Sequence, residues 1–106
     1  MKTAELIPTQ SAAANITSVY FDLGDLETYS SQVSFTGANV VGTLTLESCS
    51  SDPTAGFVTV LDSSQAIAAS GGHLYNVIKA GYRFVRIKWV YTSGTGNIKA
   101  TILVKG

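Results

Sequence analysis

From residue 82 to residue 104 the chain alternates outward and inward side chains with a period of two, and this pattern constrains the fold more than any other feature. Val85, Ile87, Trp89 and Tyr91 alternate with Phe84, Arg86, Lys88 and Val90. After Thr92-Ser93-Gly94-Thr95-Gly96, Ile98, Ala100, Ile102 and Val104 alternate with Asn97, Lys99, Thr101 and Leu103. A strand sends successive side chains to opposite faces, so each run reads as a strand with one face in a core. A short Gly-containing connection between two such runs predicts a hairpin, with Val85, Ile87, Trp89, Ile98, Ala100 and Ile102 on its core face.

Weaker copies of the same signal run through the chain. Residues 16–23 set Val19, Phe21 and Leu23 on one face and Ser18 and Asp22 on the other. Val33 and Phe35 alternate with Gln32, Ser34 and Thr36, and Leu44 and Leu46 with Thr43, Thr45 and Glu47. Residues 57–61, 65–69 and 74–78 add shorter candidates, the second of which is also open to a helical turn. Ser11–Ala14 is too short to hold a helix alone. Glycines punctuate the whole length, and no linker divides it. About eight strands separated by Gly/Ser/Asn/Asp turns predict an all-β fold, an antiparallel β-sandwich of jelly-roll-like type, with a small closed barrel as the alternative. A chain of 106 residues can bury one core without metals or disulfides. Residues 15–106 read as that single domain. Residues 1–14 read as an extended N-terminal arm: Pro8 bars a central-strand role, and Leu6 and Ile7 have no evident partner strand within the domain.

The last third also carries a recognisable string. Gly81-Tyr82-Arg83-Phe84-Val85-Arg86-Ile87-Lys88-Trp89, then Thr92-Ser93-Gly94-Thr95-Gly96, then Ile98, Ala100, Ile102 and Lys105-Gly106 resemble the end of small structural proteins of tailed and related bacteriophages. Gln32-Val33-Ser34-Phe35-Thr36 and Val41-Gly42-Thr43-Leu44-Thr45-Leu46-Glu47-Ser48, followed by Ser51-Asp52, fit the same style, so the resemblance spans about residues 18–106. It implies a virion component built from a β-sandwich and brings no catalytic residue with it.

Residue chemistry points away from catalysis. The chain has one Cys and one His, which excludes a disulfide scaffold or a Cys/His zinc site within one copy. His73 reads as the start of a strand and Cys49 as a small half-buried residue at a strand end. No Gly-x-Ser-x-Gly motif accompanies them. Asp22, Asp25 and Glu27 cluster, but with two Leu between them and outside any calcium-loop pattern, so a turn with solvated carboxylates is expected. The expectation is therefore no catalytic residue, no metal and no cofactor. The first residues lack the apolar run of about 7–15 that a secretory signal needs, and no stretch nears the roughly 18 apolar residues of a membrane-spanning helix.

Two features point to partners. Tyr82 and Phe84 lie with Arg86 and Lys88 on the face opposite Trp89; an open Phe-Arg-Lys row is a candidate contact surface for another subunit, as are Leu6 and Ile7 of the arm. Charge is also segregated. All seven acids fall in residues 1–62, which carry a net −6, while the remainder carries +6. Such halves can neutralise each other across strands of one copy, pair head to tail between copies, or turn a basic surface to nucleic acid, the last being least favoured. The expectation is a non-enzymatic structural protein of a phage particle, in the capsid, as decoration or at the head or tail. It would be made in the host cytoplasm, reside in the virion and contact copies of itself and other virion proteins. The alternative is a carbohydrate- or host-surface-binding sandwich using Tyr20, Tyr29, Tyr75 or Tyr91.

Overall fold

A computed structural model describes residues 2–24, 28–37, 39–50, 56–60, 63–68, 71–77, 80 and 82–105. Every regular element among these is a strand: β1 (Lys2–Ser11), β2 (Ile16–Thr17), β3 (Phe21–Asp22), β4 (Thr28–Thr36), β5 (Val41–Cys49), β6 (Val58–Thr59), β7 (Gln65–Ile67), β8 (Gly71–Val77), β9 (Phe84–Ser93) and β10 (Asn97–Lys105). They form two antiparallel sheets. The first runs β1-β10-β4-β8; the second runs β2-β9-β5-β6, with β3 also on β9 and β7 also on β5.

The pairing is nested. β2 and β3 occupy one strand position on β9, and β6 and β7 one position on β5, which gives eight positions. The first position pairs with the eighth (β1 with β10), the second with the seventh (β2/β3 with β9), the third with the sixth (β4 with β8) and the fourth with the fifth (β5 with β6/β7). A long ribbon of antiparallel pairs wrapped so that β10 also meets β4, and β9 also meets β5, is a jelly roll. The β-sandwich expected from alternation is thus the fold observed.

Three expectations need correction. The terminal hairpin does not form: β9 and β10 lie in different sheets, and residues 94–96 carry the chain from one to the other. Alternation fixes which side chains face inward, and it is silent on whether two neighbouring runs pair or pack face to face. All six side chains assigned to the core face, Val85, Ile87, Trp89, Ile98, Ala100 and Ile102, are buried. Residues 16–23 are not one strand either. Ser18 turns inward, where its Oγ accepts the Ile87 N–H at 2.8 Å and its own N–H donates to the Ile87 carbonyl, and Val19 is thrown outward, 65% exposed. Finally, the presumed arm has a partner in its own domain. β1 pairs with β10 along its length, and the register shift between Glu5 and Ile7 turns both Leu6 and Ile7 into the core.

Trp89 lies at the centre of the interior. Its ring is fully buried, sits 4.8 Å from that of Phe35 across the two sheets, and donates from Nε1 to the Ala12 carbonyl at 2.8 Å. At one side Tyr75 reaches from β8 to the other sheet: its hydroxyl lies 2.7 Å from the Ser63 carbonyl and 3.3 Å from that of Leu44. Burial pushes the Tyr75 phenol up to about 12.

Two outcomes follow. Deleting residues 2–11 removes Leu6 and Ile7, each worth about 2 kcal/mol of burial, and bares the β10 edge. Thermal denaturation followed by circular dichroism is expected to show a midpoint at least ~10 °C lower. Because the folded Tyr75 phenol titrates above its unfolded counterpart, its contribution is complete below about pH 10 and is lost as pH rises through about 12. Tyr75→Phe is expected to cost about 1 kcal/mol at neutral pH and to flatten the alkaline limb of a denaturant-midpoint profile.

Candidate functional site

The outer face of the second sheet carries a cluster of aromatic and charged side chains. Antiparallel register places Phe84 opposite Cys49 and Arg86 opposite Glu47 on neighbouring strands β9 and β5. By parity all four point away from the core, yet Phe84, Cys49 and Glu47 are buried. The cover comes from outside the two strands. Tyr20, between β2 and β3, sets its ring edge-on to Phe84 at 5.5 Å and approaches Phe57 at 6.4 Å. Phe57 in turn lies 4.1 Å below the Arg86 guanidinium, a cation–π contact. The result is a small second core on the outside of the sheet.

Ion pairs frame it. Arg86 Nε donates to Glu47 Oε1 at 2.7 Å, with the two side chains 29% and 9% exposed. Arg83 pairs in bidentate fashion with Asp22, at 2.8 and 2.9 Å, while its guanidinium lies 5.2 Å from the Phe84 ring. The Arg83 fork, helped by the Gly24 N–H, holds the Asp22 carboxyl down at about 2. A third pair, Lys99 with Glu5 at 3.7 Å, joins β10 to β1 on the other sheet. Each pair couples an acid of the first half to a base of the second.

The predicted contact residues therefore separate. Leu6 and Ile7 belong to the core, and Phe84 is buried beneath Tyr20. Tyr82 is half-buried, its hydroxyl 2.5 Å from that of Tyr29. Arg86 is held by Glu47 and Phe57. Lys88 is the one member of the row that stands open to solvent. What stands out instead is Val19 at 65%, Tyr20 at 47% and, on edge strand β6, Val58 at 63% exposure. The alternation of residues 16–23 hid the first of these by assigning Val19 to the core. No periodic signal marks Tyr20 or Phe57 as a cover.

Among the proposed sugar-binding tyrosines, Tyr29 and Tyr75 are buried and Tyr91 is half-buried with its hydroxyl on the Gly94 carbonyl, which leaves Tyr20 exposed. His73 is half-buried, its ring 4.5 Å from that of Tyr75. Asp25, Glu27, Asp52, Asp62 and Lys79 lie outside the described residues, as do Gly81 and Gly106 of the resemblance. An open cleft of about 370 Å³ on the first sheet is lined by Thr28, Tyr29, Ser30, Asn76, Val77, Leu103 and Lys105, none of them an acid or a histidine. Among the described residues no helix is long and apolar enough to cross a membrane.

The sequence matches no protein-family model and no curated protein. Solved structures do match in shape. The crystal structure of SPBc2 prophage-derived protein YomS is similar at a TM-score of 0.65 with 12% identity, over 98% of this chain and 92% of that one. The crystal structure of PBSX exported protein XepA is similar at a TM-score of 0.69 with 17% identity; 99% of this chain matches 37% of that longer one. At such identities the likeness establishes the fold.

The two bases on the outer face give a sharp contrast. Arg86→Ala leaves the nearly enclosed Glu47 carboxylate without its counter-ion and uncovers Phe57, and is expected to destabilise the domain by about 3 kcal/mol in urea titrations. Lys88→Ala, on the same face, is expected to stay within about 0.5 kcal/mol.

Proposed function

We propose that this chain is a non-enzymatic structural component of a phage or prophage-encoded particle, incorporated through repeated contacts with copies of itself and with neighbouring particle proteins. The observation that carries the reading is the end-to-end likeness to SPBc2 prophage-derived protein YomS, whose chain is matched over 92% of its length. The recurrence of the same fold within the longer PBSX exported protein XepA supports it as a reusable building unit. The motif string in residues 82–105 adds the resemblance to phage structural proteins. A two-layered jelly roll in which six of the described charged side chains pair with one another is a stiff unit suited to packing. Val19, Tyr20 and Val58 offer apolar surface to a neighbour. The virion, after synthesis in the host cytoplasm, is the location this role implies, as capsid, decoration or head- or tail-associated protein.

A second reading has one observation in its favour. Tyr20 stands half-exposed beside Phe57 on a shallow face, the kind of aromatic platform on which a sugar ring can stack. In that reading the sandwich binds carbohydrate or a host surface.

Light scattering on the purified chain and quantitative mass spectrometry of purified particles test the choice. A discrete oligomer, present in particles at fixed stoichiometry, is the expected result. A monomer absent from particles overturns the structural role, and glycan binding abolished by Tyr20→Ala transfers the weight to the second reading.

A further inference from the structure

The free edges of the two sheets are protected very unevenly. An uncovered edge strand offers a row of backbone donors and acceptors to any other strand, and proteins blunt such edges with short strands, bulges, prolines and charges. β2, β3, β6 and β7 are only two or three residues long. β1 is long but carries Lys2, Glu5 and Pro8 and breaks register twice. β8 has none of these devices. Its seven residues, Gly-Gly-His-Leu-Tyr-Asn-Val, pair one to one with β4 from Phe35 to Tyr29 without a shift, and they include no Pro, Lys, Arg, Asp or Glu. Among the described residues β8 pairs with β4 alone. Leu74, at its midpoint, is 54% exposed on the outer face.

We propose that β8 is an interface between two copies of this chain, joined edge to edge and antiparallel about a two-fold axis at Leu74. The strand complements itself. In full overlap Leu74 meets Leu74, His73 meets Tyr75, Gly72 meets Asn76 and Gly71 meets Val77. No carboxylate or ammonium is brought against its like, which is the usual obstacle to self-pairing. The two exposed leucines cover each other at the axis. Gly71 and Gly72 present no side chain where the partner's Val77 and Asn76 arrive. The contact is isologous and closes on itself, making one continuous eight-stranded sheet from two copies of β1-β10-β4-β8. This inference deepens the assembly reading above and rests on it for the kind of partner.

The test uses two charge variants of the full chain, Leu74→Lys and Leu74→Glu. The side chain is exposed, so circular dichroism and melting midpoint should match the wild type. In light scattering each variant alone is expected to show at least a twofold loss of assembled mass, since like charges then meet at the axis. An equimolar mixture is expected to restore it, with Lys opposite Glu. Variants that associate as the wild type does overturn the β8 interface while leaving assembly through another surface standing. A wild-type chain that stays monomeric at high concentration also overturns it, and its incorporation into particles, measured separately, then decides the broader reading.

Discussion

The connection from β4 to β5 and the connection from β9 to β10 cross between the sheets at the same end of the molecule, pressed together so closely that Gly37, Gly94 and Gly96 have no room for a Cβ. Gly94 has φ of +86°, and a Cβ there would overlap the Asn39 carbonyl oxygen. A Cβ on Gly37 would strike the Gly96 backbone. Polar groups stitch the same point, with the Thr95 N–H donating to Asn39 Oδ1 at 3.2 Å and the Tyr91 hydroxyl to the Gly94 carbonyl at 2.7 Å. Because β4 and β10 pair in one sheet while β5 and β9 pair in the other, the stacked crossings set both central registers at once. The Phe35–Trp89 contact that joins the layers follows from that alignment.

Nested pairing also accounts for the segregated charge. When the first strand position lies beside the eighth and the second beside the seventh, acids near the start of the chain are brought against bases near its end. Glu5 meets Lys99 through β1 and β10, Asp22 meets Arg83 through β3 and the start of β9, and Glu47 meets Arg86 through β5 and β9. Among the described residues, three acids of the −6 half are thereby neutralised at short range by three bases of the +6 half. Of the three uses open to such halves, neutralisation within one copy is the one these three pairs perform. They differ in kind: Glu47 is nearly enclosed, whereas the Asp22 and Glu5 pairs stand in solvent, where water and salt screen an ion pair.

The faces of the strands were legible in the sequence, but their partners were only partly so. Burial follows alternation through β4 and β10, and in β5 and β9 away from Glu47, Cys49 and Phe84, because a pleated strand against one core leaves its inward residues no other place. The connection at Thr92–Gly96 reads as a hairpin loop by composition, since Gly and Thr suit a tight turn and a sheet-crossing arch alike. Only the non-local pairing of β10 with β1 and β4 separates the two. Pro8 gave a correct local message, that β1 is no central strand, yet an edge position meets that constraint as well as a free arm does. In residues 16–23 the side chain of Ser18 competes for the Ile87 N–H and breaks the alternation, an effect hydropathy does not register.

The surface was less legible than the core, and for a related reason. Outward parity suggested that Phe84, Arg86 and Lys88 form an open row. Parity cannot show that Tyr20 and Phe57, arriving from residues outside the long strands, close over part of it. Once they do, an aromatic side chain on the solvent side is no longer a sign of an interface, and a carboxylate such as Glu47 can be buried outside the main core because Arg86 comes with it. The same logic inverts the usual search for contacts. In a molecule that covers Phe84 from outside, pairs most of its described charges and shortens or kinks most of its strand edges, the informative surface is the one left plain. A regular, neutral strand edge such as β8 has backbone groups to offer and none of the devices that elsewhere in the same chain deter an approaching copy.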